Sequence, residues 1–410
     1  MKLTKLEKSW ILYDVGNSAF TLLVSTIMPI YFNYLASSAG ISDENYLAYW
    51  GYAASIATLI VALSGPVLGT LADYKGFKKP IFLVALAVGA LGCVALGLAK
   101  AWLAFLVIFV VAKTGYAASL VFYDAMLNDV TDETRVDSVS SLGYAWGYVG
   151  SCLPFLLCLG LVLGAEPLGL TMEVAMGLSF TVVALWWVGC SLPLLRRYRQ
   201  TYYIERQPSP VRSSFGRLLK TLKNVKAEKN IFLFLLAFFF YIDGVYTIID
   251  MATAYGSALG LDSTGLLLAL LVTQIVAFPC AIVFGRLSKT VKNSRLITIC
   301  ILAYLGIAIF AMFLVSQWQF WVLAVLVGMF QGGIQALSRS YFAKIVPNER
   351  SGEYFGLMDI CGKGAAFFGT TIVSVITQIT DRMNLGVGAI AILFVAGLLL
   401  FRRAARLNRE

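Results

Sequence analysis

Histidine is absent from the 410 residues of this chain. That excludes histidine metal ligands, a Ser-His-Asp triad and histidine proton relays. Charge is scarce too: Asp, Glu, Lys and Arg make up 13% of the residues, against about 25% in a soluble domain. So little charge cannot clothe a soluble surface, and an apolar content of 59% is far too high for a disordered chain. The seven cysteines (Cys93, Cys152, Cys158, Cys190, Cys280, Cys300, Cys361) form no CxxC pair. They read as small apolar packing residues, not as a disulfide framework or a metal cluster. No P-loop occurs, so nucleotide hydrolysis is unsupported.

Long apolar runs are what the sequence has in abundance, with a mean hydropathy of +0.81. A bilayer core about 30 Å thick needs about 20 apolar residues in a helix. Twelve such stretches can be read, at 11–36, 47–72, 80–99, 102–127, 138–164, 174–195, 231–256, 263–285, 295–315, 318–342, 352–378 and 385–401. None has the two-residue alternation of a barrel strand. The first is too long for a cleaved signal peptide and contains Asp14. With the N-terminus placed inside, 28 of the 32 lysines and arginines fall in inside loops. Lys100 and Arg382 fall outside, and Lys113 and Lys363 lie within spans. The net charge of +10 therefore reads as a topology signal with both termini in the cytoplasm, not as a nucleic-acid patch.

The longest polar interval, 196–230, divides the chain into a first half (1–195) and a second half (231–410). Within it Phe215, Leu218, Leu219, Leu222 and Val225 recur at helical spacing, with Arg217, Lys220, Lys223 and Lys226 on the other face. A helix lying on an anionic cytoplasmic leaflet is expected there. A weak repeat relates the halves: Gly69-Thr-Leu-Ala-Asp73-Tyr-Lys-Gly76-Phe-Lys78-Lys79 corresponds to Gly285-Arg-Leu-Ser-Lys289-Thr-Val-Lys292. Matched halves of this kind are the pattern of alternating-access transporters.

The first of these segments resembles the loop signature of the major facilitator superfamily, G-x-L-x-D-x-x-G-x-[RK]-[RK], with every fixed position met. The resemblance implies that Gly69, Asp73, Gly76, Lys78 and Lys79 form a cytoplasmic gate. The second copy has Lys289 where an acid would stand, so its clasp should be degraded. Further segments are similar to the vacuole-effluxer-like branch of that superfamily. They are Trp10-Ile-Leu-Tyr13-Asp14-Val-Gly-Asn17-Ser18-Ala-Phe20, Gly143-Tyr144 with Gly147-Tyr148, Gln331-Gly-Gly with Gln335, and Gly352-Glu-Tyr-Phe-Gly356 with Lys363. The chain departs from that pattern around Asp124 and Asn128, near which relatives carry asparagine and proline. The resemblance implies an all-α integral membrane protein of twelve transmembrane helices in two six-helix pseudo-symmetric halves. It also implies no cofactor, a monomer among membrane lipids in a bacterial inner membrane, and a small-molecule substrate, with amino acids foremost.

An ionisable group at mid-bilayer costs about 2.5–3.5 kcal/mol, so each one within a span demands a reason. Asp14, Asn17, Thr21 and Ser25 share one helix face. They line a pathway, or Asp14 caps and pairs locally at the interface. Asp243, Tyr246, Thr247 and Asp250 form a second such face. With no histidine available, Asp243 and Asp250 are the leading candidates to carry a coupled proton or hold an amine. Lys113, Tyr116 and Asp124 share a face of the fourth span, and Asp359 and Lys363 stand four apart in the eleventh. The latter spacing suits a self-neutralising pair as well as a pathway role. Gln331 and Gln335 offer donors and acceptors to a polar ligand, while Arg339 lies near the cytoplasmic exit and belongs to the gate. Tyr144 and Tyr148, one turn apart, are candidate cavity walls. Polar groups spread over many spans favour a translocation cavity over an active site, so no enzymatic activity is expected. The expected function is secondary transport of a small polar solute, with protons as a possible second cargo. Export of amphipathic drugs or lipids is the nearest alternative, ahead of a non-transporting sensor or scaffold.

Overall fold

Inside hydrocarbon every backbone amide must find its partner within its own segment, and helices meet that demand. The computed structural model describes residues 2–41, 43–207, 210–223, 228–380 and 382–407. The first half holds α1 (Lys5–Ser38), α2 (Asp43–Ala72), α3 (Lys78–Leu96), α4 (Trp102–Ala125), the short α5 (Leu127–Val130), α6 (Val136–Leu163) and α7 (Met172–Arg197). After α8 (Pro210–Lys223), the second half holds α9 (Lys229–Ala258), α10 (Ser263–Leu287), α11 (Asn293–Ala311), α12 (Gln317–Ile345), α13 (Ser351–Thr380) and α14 (Met383–Leu407). Eleven of these are long and apolar enough to cross a membrane. The twelfth, α13, has 30 residues, about 45 Å of helix.

Helix starts follow local chemistry. Thr4 caps α1 by accepting from Glu7 N at 3.1 Å, and Glu7 Oε2 accepts from Thr4 N at 2.7 Å. Asp262 caps α10 by accepting from Gly265 N at 2.6 Å. The halves meet along two seams, α2 against α13 and α6 against α10. Small residues occupy both, which lets the backbones approach closely. A Cβ on Gly69 would lie 2.1 Å from Gly352 O, and one on Gly285 would lie 2.7 Å from Ser141 Cβ.

After α7 the chain doubles back along the α2–α3 loop. Tyr74 and Ile204 form a parallel bridge, with Lys75 N donating to Ile204 O at 3.0 Å and Ile204 N to Asp73 O at 2.8 Å. Gly76, at φ +77°, makes the turn beside it and donates its N–H to Gln200 Oε1 at 3.0 Å. In α8, Ser214, Leu218 and Thr221 are buried against the bundle, and Arg217 points inward with them. The expected faces put Arg217 with Lys220 and Lys223, and Leu218 with Phe215 and Leu219; the structure turns Arg217 and Leu218 to the bundle and leaves Phe215 and Leu219 exposed. Val225 and Lys226 lie outside the described residues, as does the Leu222 side chain.

Candidate functional site

Between the halves lies a cavity of about 640 Å³. Both halves supply its walls. Asp14 and Asn17 come from α1, Tyr116 and Asp124 from α4, and Tyr144 and Tyr148 from α6. Tyr246 and Asp250 come from α9, Gln331, Gln335 and Arg339 from α12, and Asp359 from α13. Gln274 of α10 joins them, a polar residue that the sequence reading passed over.

Three expected residues stand elsewhere. Asp243 is fully buried at the α9–α13 contact, accepting from Gly369 N at 2.9 Å and from Thr247 Oγ1 at 3.3 Å. It is a packing carboxylate away from the cavity wall. Lys113 sits one turn from Tyr116, with its Nζ 5.7 Å from the Phe109 ring centroid, and its charge acts on Asp250. Lys363 belongs to α13, but its side chain lies outside the described residues.

The floor of the cavity is built around Arg339. Its Nη1 donates to Asp124 Oδ1 at 3.0 Å, its Nε to Ser140 Oγ at 2.9 Å and its Nη2 to Ser140 O at 3.0 Å. Asp14 Oδ2 stands 3.7 Å from Nη2. The guanidinium carbon lies 4.6 Å from the Trp10 ring and 4.3 Å from the Tyr144 ring. Arg339 thus ties α12 to α1, α4 and α6 of the other half. Planar guanidinium suits this role because it can stack and donate at once. Gly143 keeps the spot open, since a Cβ there would lie 2.8 Å from Asp14 Oδ2.

Below the floor, hydrogen bonds and ion pairs join the halves at the end that carries the basic loops. Asp73 accepts from Gly352 N at 2.7 Å and Glu353 N at 3.0 Å, capping α13 from across the seam. A carboxylate is favoured at a helix N-terminus. Burial nevertheless pushes the Asp73 carboxyl up to about 7, against the lowering influence of Lys78, Arg217 and those two N–H groups. Lys78 donates to Asp129 Oδ2 at 3.0 Å, Ser351 Oγ at 2.9 Å and Ala125 O at 3.3 Å. Lys79, beside it, is partly exposed. Asp129 also accepts from Tyr198 Oη at 2.6 Å and from the N–H groups of Thr201 and Tyr202 at 2.9 and 2.8 Å. Arg217 of α8 donates to Glu353 Oε2 at 3.0 Å and to Thr70 O.

The second seam has its own ionic tie. Asp137 accepts from Lys344 Nζ at 2.6 Å and Asn293 Nδ2 at 2.8 Å, while Lys289 is exposed. The acid missing from the second loop copy is thus supplied by the start of α6. Asn128 donates to Asn348 Oδ1 at 2.7 Å and Ala343 O at 3.0 Å, a further cross-seam tie. Sequence reasoning missed Asp129, Asp137, Arg217, Lys344 and Glu353. Glu353 was in view inside Gly352–Gly356, and Arg217 could have been found from its small polar neighbours Ser214 and Thr221 on one helical face.

A family model described as vacuole effluxer Atg22 like matches residues 4–408. The chain is 41% identical over 404 residues to the uncharacterized MFS-type transporter YxiO of Bacillus subtilis, covering 97% of this chain and 94% of that one. It is 23% identical over 283 residues to autophagy-related protein 22-1 of Aspergillus fumigatus, covering 61% of this chain but 45% of the fungal protein. Among solved structures, the human organic anion transporter MFSD10 superposes with a TM-score of 0.72 at 13% identity, covering 97% of this chain and 98% of that chain. The major facilitator transporter FucP in its outward conformation gives a TM-score of 0.71 at 13% identity, covering 98% and 97%. The two solved structures share the twelve-helix fold, and they and YxiO are described as transporters, not enzymes.

Proposed function

The chain belongs to the vacuole-effluxer Atg22-like family of major facilitator transporters, and from that premise we propose that it moves a small polar solute, an amino acid foremost, by alternating access across a bacterial inner membrane. The basic end faces the cytoplasm, by the distribution of lysine and arginine. The observation that carries the reading is a 640 Å³ cavity lined by both halves, above a seal of contacts that a rocking motion can break.

The lining suits a zwitterion. Asp250 and Asp359 present carboxylates to an ammonium group, and Gln331 and Gln335 offer amides to a carboxylate. Lys113, one turn from Tyr116 on α4, adds a cation whose charge reaches Asp250. Asp14 and Asp124 are engaged by Arg339 in the sealed state. When the halves rock, those two carboxylates part from Arg339 and become the cytoplasmic face of the site. A solute drives this exchange only through a difference in affinity between the two states. With no histidine in the chain, the proton carrier is a cavity aspartate, Asp250 first.

The test begins with a thermal-shift screen of the purified protein against a metabolite library at two pH values. A solute at a hundred times its Kd stabilises the native state by about 2.7 kcal/mol. Hits then enter counterflow in proteoliposomes. Asp250→Asn is expected to cut counterflow at least tenfold, on the order of one lost charge-assisted contact. Full counterflow by Asp250→Asn removes Asp250 from the site, and absence of counterflow for every hit refutes the transport reading.

A further inference from the structure

We infer that α8 is a receptor for anionic phospholipid headgroups, and that a negatively charged leaflet tightens the seal at the basic end through it. The helix has two working faces. The inner one carries Ser214, Arg217, Leu218 and Thr221. Arg217 reaches both halves, donating to Thr70 O of α2 and to Glu353 Oε2 of α13 at 3.0 Å, and it lies 5.1 Å from the Tyr74 ring. Arg350 donates to Thr221 Oγ1 and to Glu353 Oε1, the latter at 2.9 Å. The position of α8 and the state of the seam are therefore one mechanical unit.

Among the described residues none covers the outer face. Val211, Phe215 and Leu219 recur every fourth residue and are 56%, 50% and 56% exposed. Arg212, Lys220 and Lys223 lie along one side of that row, turned away from the buried face, and are exposed as well. The helix, Pro-Val-Arg-Ser-Ser-Phe-Gly-Arg-Leu-Leu-Lys-Thr-Leu-Lys, contains no acid. It connects two membrane spans and packs against the end of a third, α2, so it sits at the level of the bilayer surface. Three apolar side chains with a strip of cations along one side and no acid match the boundary of an anionic leaflet: acyl chains for the row, phosphates for the cationic strip. A neutral leaflet would satisfy the row but not the cations, so the charge of the leaflet sets how firmly α8 is held. Held down, α8 keeps Arg217 between Thr70 and Glu353. Released, it withdraws a cation from the seam and leaves the buried Glu353 with Arg350 as its ion-pair partner among the described residues.

The test uses the full chain in nanodiscs of phosphatidylcholine alone or of phosphatidylcholine mixed with phosphatidylglycerol, read by hydrogen–deuterium exchange. In the mixed discs the amides of α8 and those of Gly352 and Glu353 should exchange more slowly by on the order of tenfold. Raised salt should erase the difference. The triple change Arg212→Gln, Lys220→Gln, Lys223→Gln should erase it too, while exchange in neutral discs stays as in the wild type. Equal exchange of the wild type in both discs overturns the proposal, as does a lipid effect that survives the triple change or raised salt. Protection of α8 without protection of Gly352 and Glu353 overturns the link to the seal. If the triple variant does not fold, the salt series on the wild type decides.

Discussion

Replacing Gly352 by alanine should open the basic end. Gly69 and Gly352 meet backbone to backbone, and a Cβ on Gly352 would lie 2.4 Å from Gly69 O and 2.7 Å from Asp73 Oδ1. Ordinary contact begins at 3.4 Å, and the nearer obstacle is a helix carbonyl that cannot swing aside. The seam must therefore part by about 1 Å at this point, which in a packed contact costs about 1–3 kcal/mol. Parting also stretches the bonds that Asp73 accepts from Gly352 N at 2.7 Å and Glu353 N at 3.0 Å. With about 0.5–1.5 kcal/mol for a weakened bond, the total is about 1.5–4.5 kcal/mol, a shift of roughly 10- to 1,500-fold away from the sealed state. The assay is pulsed electron spin resonance on a cysteine-free version carrying labels at the exposed Lys75 and Arg403. The wild type should give one short distance, and Gly352→Ala a longer population that dominates. Gly306→Ala is the control, because a Cβ there meets nothing within 4 Å. A Gly352→Ala variant with the wild-type distance distribution and an unchanged melting temperature would refute the reasoning.

Three further outcomes follow from the same geometry. The sealed state holds the Asp73 proton up to about pH 7, whereas an Asp73 hydrated by opening returns towards 3.8. The sealed state therefore binds more protons between those values, so acidification below 7 should favour the short spin-label distance and Asp73→Asn should remove that dependence; an unchanged pH profile in the variant would exclude Asp73. Arg339→Gln leaves Asp14 and Asp124 without their cation and should cost about 3–5 kcal/mol, seen as a lower melting temperature, with Arg339→Lys recovering part of it; a wild-type melt for Arg339→Gln would show that the floor is not held by charge. Asp243→Asn should lower the melting temperature and leave solute affinity unchanged, while Asp250→Asn should do the reverse; the opposite pattern would exchange their roles.

The twelve spans were legible because hydrocarbon thickness sets a length that the apolar runs meet. The polar stripe of α9 shows where such reading stops. At about 100° per residue, Asp243, Tyr246, Thr247 and Asp250 fall within a single sector about 100° wide. The cavity edge runs through that sector: Tyr246 and Asp250 face the cavity, while Asp243 and Thr247 meet Gly369. Periodicity gives the face of a helix but not the neighbour that stands on it. The same gap explains α8. Its apolar and basic residues predicted two clean faces, but the bundle selected the narrow polar strip of Ser214, Arg217 and Thr221 because Glu353 and Thr70 O stood ready to meet a guanidinium. Asp73 and Lys78 of the loop signature both stand at the seam. Their partners Ser351, Gly352 and Glu353 lie some 270 residues further along the chain, beyond the reach of any local pattern.

The Arg339 tie also has a history in time. Asp124 and Arg339 are 215 residues apart, so at about 5–20 residues per second a ribosome emits the carboxylate some 10–40 s before its cation. Lys78 and Asp129, by contrast, are 51 residues apart and both belong to the first half. The nascent first half can therefore close the Lys78–Asp129 pair on its own, while Asp14 and Asp124 await their cation. Completion of α12 ends that wait, which makes the arrival of Arg339 the moment at which the two halves become one transporter.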